Sequence, residues 1–332
     1  MRSSKESGFA PTKGKRGALE LEDSAKMSQI PGKKETRWRK FRENTVFGMM
    51  LSPFMFNQYV LFTITAMMVV LISFTSMDSA LRWEFNGLIN FQKALLDPAI
   101  GLIVLNTVLF VAVTLFIKVV WGLIIALTTT YYIRSERLGT FFRMIWLLPR
   151  VSPGVVEALL WTWIFSSSSY GILNTLMFHL YGWEAVDWLD RYPLLINIAL
   201  SGVMGSSLSM VVFSSAIQSI DKSYFYVAKV DGANEMTILR KLIIPFLKWP
   251  LTFILIWQGL SLFTSYESIL LLTDGGPMHR SETWALYAFH TAFFTLDFGY
   301  GSAISLFILP IVILVMVISY RLFGFSKLMK SV

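Results

Sequence analysis

The sequence has no cysteine in 332 residues, which excludes disulfide staples, thiolate nucleophiles and cysteine-bound metal centres together. Histidine is almost as scarce. His179, His279 and His290 are dispersed, with no HExxH run and no Ser/His/Asp spacing, so neither a zinc hydrolase nor a triad enzyme is indicated, and they read as surface or packing residues. A phosphate cradle is missing too. The stretch GFAPTKGKR, from Gly8, places one residue too many before its second glycine and has Arg16 after Lys15, where a P-loop has Ser or Thr. Internal repeats of the kind that build secondary transporters are not evident.

Charge is also thin, at 15% of residues against 55% hydrophobic. A mean hydropathy of +0.58, with 27 Phe, 11 Trp and 16 Met, marks a bilayer protein, since no soluble domain with one core is so apolar. Crossing hydrocarbon takes about 20 mostly apolar residues. Six runs of that order occur, at 46–74, 103–129, 142–165, 194–217, 249–272 and 300–323. Lys118, Arg150 and Glu157 lie inside the second and third runs, where lipid tolerates charge poorly, so those faces are expected to meet protein or water.

Lys and Arg number 12, 3, 5 and 3 in the N-terminal tail, the 131–143 and 218–248 loops and the C-terminus, but only 2, 1 and 1 in the alternate connections. Basic segments stay cytoplasmic, which puts both termini and the 218–248 loop inside. The net charge of +8 is then largely a topology signal, and no nucleic-acid partner is inferred from it. Residues 1–45 form a basic tail too polar to order itself. A short helix from Lys33, carrying Trp38 and Phe41 among cations, suits contact with anionic membrane lipid. The tail is too long and too basic for a cleaved secretory leader.

One internal connection stands out. In AKVDGANEMTILRKLIIP, apolar residues recur at helical spacing on both sides of Gly232: Phe225, Ala228 and Val230 before it, Met236, Leu239, Leu242 and Ile243 after it. This predicts two short helices joined at a glycine turn, with Gly232 free to adopt positive φ. An apolar ridge flanked by Lys229, Asp231, Glu235, Arg240 and Lys241 suits a groove on a soluble partner. A plain connector with Asp231 as a helix cap is the alternative.

The segment FYVAKVDGANEMTILRKLIIP closely resembles the cytoplasmic "EAA" loop of permease subunits in binding-protein-dependent ABC importers, with Ala228, Asp231, Gly232, Ala233, Ile243 and Pro245 at matching positions. Thr273, Gly275, Gly276 and Pro277 resemble the family's LTxGGP turn, and DFGYGSA, at 297–303, its entry to the last span. The resemblance covers about residues 46–326, leaving 327–332 as a C-terminal tail. It implies an all-α integral membrane fold of six transmembrane helices, with a coupling loop between the fourth and fifth. It further implies a non-catalytic transport subunit of a bacterial or archaeal inner membrane, paired with a second permease subunit as in the maltose importer group. Two cytoplasmic ATP-binding subunits would hold ATP and Mg, and an extracytoplasmic solute-binding protein would deliver a sugar or oligosaccharide, with glycerol phosphate or an acidic oligosaccharide as alternatives. In this sequence Tyr226 stands where the family has Glu, and Val227 where it has Ala.

The fifth run contains WQGLSLFTSYES, in which Trp257, Gln258, Ser265, Tyr266 and Glu267 are polar or aromatic for a helix in lipid. Rings stack on sugar faces while amides and hydroxyls bond sugar OH groups, so these residues are expected along the solute pathway. Bonding between neighbouring helices is the alternative. Lys118 and Arg150 favour an anion if they face that pathway, unless they pair with neighbours such as Glu157.

Overall fold

The structure, a computed structural model, describes residues 33–168 and 170–323. Residues 1–32 and 324–332, and with them the reading of a mobile tail and of a C-terminal tail at 327–332, lie outside the described residues. Every regular element there is helical, and one isolated antiparallel bridge, Thr75 to Phe85, is the extended pairing among the described residues.

The first unit of the chain, residues 1–67, carries α1 (Lys33–Gln58) and a π-helical stretch, Tyr59–Ile64. The helix begins at Lys33 as expected but continues without a stop into the first apolar run. Pro53 removes the N–H that would bond the Met49 carbonyl, and the Ser52 hydroxyl donates to that carbonyl at 2.9 Å, which lets the helix run on.

The chain then continues through α2 (Thr65–Ser73), α3 (Ile89–Leu96), α4 (Ile100–Leu127), α5 (Glu136–Val151), α6 (Gly154–Ile164), α7 (Ile172–Tyr181) and α8 (Trp188–Arg191). After these come α9 (Pro193–Met204), α10 (Ser207–Gln218), α11 (Lys222–Val230), α12 (Glu235–Ile238), α13 (Ile244–Phe246), α14 (Lys248–Phe263), α15 (Glu267–Leu272), α16 (Trp284–Phe289), α17 (Phe298–Leu306) and α18 (Ile308–Phe323).

Three helical stretches, Thr45–Ser73, Ile100–Tyr132 and Pro193–Gln218, are long and apolar enough to cross a membrane unaided. The pair α5 and α6 makes a fourth candidate but bends by 96°. Proline sets that bend: Ser152, preceding Pro153, is pushed out of the helical region to φ −70°, ψ 140°. The fifth apolar run is split between α14 and α15 at 264–266 and the sixth between α17 and α18 at Phe307. Pro310 accounts for the second split, because it lacks the N–H that the Leu306 carbonyl needs. Helix length alone therefore supports fewer crossings than the six apolar runs.

The second unit is built round α4. Along its middle, α10 approaches so closely that a Cβ added to Gly122 would lie 2.4 Å from Ser209 Cβ. Towards its C-terminal end, Ala126, Phe213, Ile217, Ile238, Ile243 and Ile254 form one buried cluster. Towards its N-terminal end, Phe110, Val111, Ile198, Leu262, Ile269 and Leu286 form another.

A polar layer closes the N-terminal end. Asn90 Nδ2 donates to the Ser73 and Thr75 carbonyls at 2.9 and 2.8 Å, and Lys93 pairs with Asp297 at 2.8 Å. The Asp97 carboxylate accepts the hydroxyls of both Tyr287 and Tyr300, the latter at 2.8 Å.

Candidate functional site: a surface hairpin and a mid-span cavity

Segment 221–246 folds as the predicted helical hairpin, and its sequence dictates each corner. Asp221 starts α11 by accepting the Ser223 N–H at 2.8 Å. The helix ends in a Schellman closure, with Ala233 N–H on the Ala228 carbonyl at 2.9 Å and Gly232 N–H on the Lys229 carbonyl at 3.1 Å. That closure needs a left-handed residue at its fifth position, and Gly232 supplies it with φ +75°. Ala228 and Ala233, the closure's two ends, both rest on the cluster at the C-terminal end of α4. Asn234 then opens the next helix, accepting the Thr237 N–H at 2.8 Å. Helix capping by side chains thus falls to Asp221 and Asn234; Asp231 occupies the C-cap through its backbone, which donates to the Val227 carbonyl at 2.9 Å.

The predicted apolar ridge divides between two faces. Phe225, Ala228, Ala233, Leu239 and Leu242 pack inward on the cluster, and Ile238 and Ile243 belong to it. Outward point Tyr226, Val227 and Val230, the last 86% exposed, together with Met236. Pro245 is exposed in α13. The hairpin is tied to the π-helical extension of α4, Thr128–Tyr132, through Tyr131, whose hydroxyl donates to the Glu235 carboxylate and whose ring lies 5.6 Å from that of Phe225. Lys229 approaches the same carboxylate at 3.7 Å.

A cavity of about 330 Å³ opens between α4, α5, α6, α9 and the α14–α15 break, a volume in the range of small-molecule sites. Its charged lining is Lys118, Arg150, Glu157 and Glu267; hydroxyl and amide groups come from Ser152, Asn197, Ser201, Ser207, Ser265 and Ser268, and Trp161 adds a ring. Asn197 donates to the Pro193 carbonyl and to Thr273 Oγ1 at 2.9 and 2.8 Å, but its own Oδ1, like Ser207 Oγ, is buried and has no hydrogen-bond partner among the described residues. Buried polar atoms left open in this way are uncommon.

Of the five pathway residues expected in the fifth run, Ser265 and Glu267 line this cavity. Trp257 is exposed and stacks on Phe253, with centroids 6.3 Å apart. Gln258 is buried and donates to Ser209 Oγ at 2.6 Å, joining α14 to α10. Tyr266 stacks on Phe289 at 4.7 Å.

Asn197 and Ser201 lie outside the run expected to carry the pathway, although their i, i+4 spacing in an apolar run marks one polar helix face. The turn after α15 carries a second polar group that its dispersed residues do not announce. Glu282, 3% exposed, takes the Nδ1 atoms of His279 and of His290, the latter at 2.7 Å, and His290 Nε2 lies 3.0 Å from Asp274. Two of the three dispersed histidines thus share one carboxylate and brace the 273–283 turn.

The chain is 28% identical over 291 residues to the probable ABC transporter permease protein YesP of Bacillus subtilis (strain 168), covering 85% of this chain and 92% of that one. It is 25% identical over 278 residues to the sulfoquinovosyl glycerol transport system permease protein SmoG of Agrobacterium fabrum, covering 81% and 87%. Its fold is similar to that of a chain in the crystal structure of a bacterial alginate ABC transporter in complex with an alginate pentasaccharide-bound periplasmic protein, with a TM-score of 0.74 and 17% identity over 86% of this chain and 96% of the other. The model of the family described as "binding-protein-dependent transport system inner membrane component" matches residues 118–325, a span that contains both the hairpin and the cavity. With most of its length inside that match, the chain belongs to the binding-protein-dependent inner-membrane transport family, as an ABC transporter permease.

Proposed function

We propose that this chain is one of two permease subunits forming the membrane pathway of an importer for a sugar or oligosaccharide. It crosses the membrane six times with both termini in the cytoplasm, the bent and split helices counting as single crossings. The hairpin docks on one of two cytoplasmic ATP-binding subunits, which hold ATP and Mg, and an extracytoplasmic binding protein delivers the solute. The observation that carries this reading is the two-faced hairpin. One face is anchored on the bundle core, while Tyr226, Val227, Val230 and Met236 are left uncovered at a segment outside the apolar runs. Such a rigid amphipathic element transmits movement from a partner to the helices it rests on.

The cargo assignment draws on relatives named for sulfoquinovosyl glycerol, arabinooligosaccharides and sn-glycerol-3-phosphate, and on the serine hydroxyls along the cavity. Co-expression with the partner permease, ATP-binding and solute-binding proteins tests the reading. The chain is expected to purify with an ATP-hydrolysing subunit whose activity rises when the loaded binding protein is added; hydrolysis indifferent to the binding protein would sink it.

A further inference from the structure

The cavity holds two cations and two carboxylates, and its charges are not matched with one another. None of the ion pairs among the described residues includes Lys118, Arg150, Glu157 or Glu267. Each carboxylate nonetheless lies at the start of α6. Glu157 is in its first turn. Glu267 Oε1 lies 3.7 Å from where a Cβ on Gly154 would sit, beside the first residue of α6, where the positive end of a helix favours an anion.

The cations have no such counterpart. Lys118 sits at the middle of α4, packed over Gly205 at the break between α9 and α10; a Cβ there would meet its Cε at 2.4 Å and its Nζ at 2.9 Å. The missing side chain at Gly205 is what admits the amine to the cavity wall. Arg150 lines the same cavity and repels the Lys118 ammonium instead of relieving it. Two like charges facing one cavity within apolar runs are costly, and chains keep them there for function.

We propose that Lys118 and Arg150 form a subsite for one anionic group, a carboxylate, sulfonate or phosphate, on a polyhydroxylated solute whose hydroxyls meet the wall formed by Ser152, Ser201, Ser265 and Ser268. This rests on the permease reading and deepens it. An anion relieves the repulsion between the two cations and satisfies their N–H donors, while the serine hydroxyls bond those of the sugar. The same site gives a neutral oligosaccharide only the second half of that recognition.

The test uses the complete importer, with its partner subunits and binding protein, in proteoliposomes supplied with trigalacturonate, glycerol 3-phosphate or maltotriose. ATP-driven uptake is expected for an anionic probe in preference to maltotriose. Lys118→Met and Arg150→Gln are each expected to lower uptake of that probe, below saturation, by about tenfold or more, the loss of one charge-assisted hydrogen bond, and to shift the ratio of anionic to neutral uptake. Preference for maltotriose overturns the anion subsite and leaves the importer reading standing. Variants that lose charged and neutral uptake in equal proportion also overturn it, and assign the two cations to assembly with the partner permease. Uptake of none of the probes overturns the subsite as well, whereas ATP hydrolysis that ignores the binding protein counts against the importer itself.

Discussion

The Tyr131 hydroxyl donates to the Glu235 carboxylate, linking the C-terminal extension of α4 to the second helix of the hairpin. If the hairpin couples to a partner, movement imposed on it would reach α4 through this bond and through the Tyr131–Phe225 ring contact. Tyr131→Phe keeps the ring and deletes the bond. The expected result is a small stability loss, about 0.5–1.5 kcal/mol for one exposed hydrogen bond, with a larger fractional drop in binding-protein-stimulated ATP hydrolysis. Thermal unfolding and the stimulated rate, measured on the same preparation, separate the two effects.

Gly232 can be tested without steric ambiguity. A Cβ at this position meets nothing within 4 Å, so only the backbone at φ +75° resists substitution. Gly232→Val is expected to cost about 1–3 kcal/mol, leaving insertion and assembly intact while misplacing the outward residues Tyr226 and Val230. Gly232→Asn, which tolerates the left-handed region, should retain most of the coupling. Equal transport by wild type and the Val variant would remove the hairpin from the coupling path.

The absence of native cysteine makes topology directly measurable. Val230 and Met278, 86% and 90% exposed, are suitable single-cysteine sites; Ser281, although in an outer connection, is fully buried and is not. An impermeant maleimide is expected to label Met278→Cys in intact cells and Val230→Cys only after permeabilisation. Labelling of the position-230 thiol from outside would invert the proposed orientation.

The polar layer carries its own acid sensitivity. Burial works against ionisation of Asp97, but hydrogen bonds from Tyr287, the Ala99 N–H and Tyr300 outweigh it and hold the carboxyl below its usual range. A carboxylate with a lowered folded pKa stabilises the fold above its unfolded value and loses that contribution as pH falls through the folded one. Asp97→Asn is therefore expected to lower the melting temperature at neutral pH and to approach wild type below about pH 4. Tyr287 moves the opposite way: burial, reinforced by the Asp97 bond, pushes it from 10.0 up to about 12. Its contribution is intact below the unfolded value and is lost as pH rises from 10 toward 12.

Gln258 and Ser265, seven residues apart in the same run, should respond differently. Gln258→Ala leaves the buried Ser209 hydroxyl without its donor, at an expected cost of about 1–3 kcal/mol with solute preference unchanged. Ser265→Ala, on the cavity wall, is expected to alter uptake at little cost in stability. A melting curve and a competition uptake assay on each variant decide the matter.

The hairpin was largely legible because its information is local: the spacing of apolar residues, one glycine and the caps at Asp221 and Asn234 all act within a few residues. Which face turns inward was not, since Phe225 and Val230 are equally apolar and only the packing of Ile217, Ile238 and Ile254 distinguishes them. The fifth run shows the same limit. Adjacent helical residues diverge by about 100°, so Trp257 and Gln258 could not both share one face, and the interruption at 264–266 turns Ser265 and Glu267 elsewhere. Pro153 is a local signal for the break in the third run, although the size of the bend, 96°, is legible only in the structure.

The contact of Gly122 with Ser209 leaves no clearance for even a methyl group, and Gln258 pins the same serine from a third helix. A joint so tight does not slide. Helices α4, α10 and α14 are therefore clamped into one rigid body, which a push on the hairpin resting against it would carry as a whole.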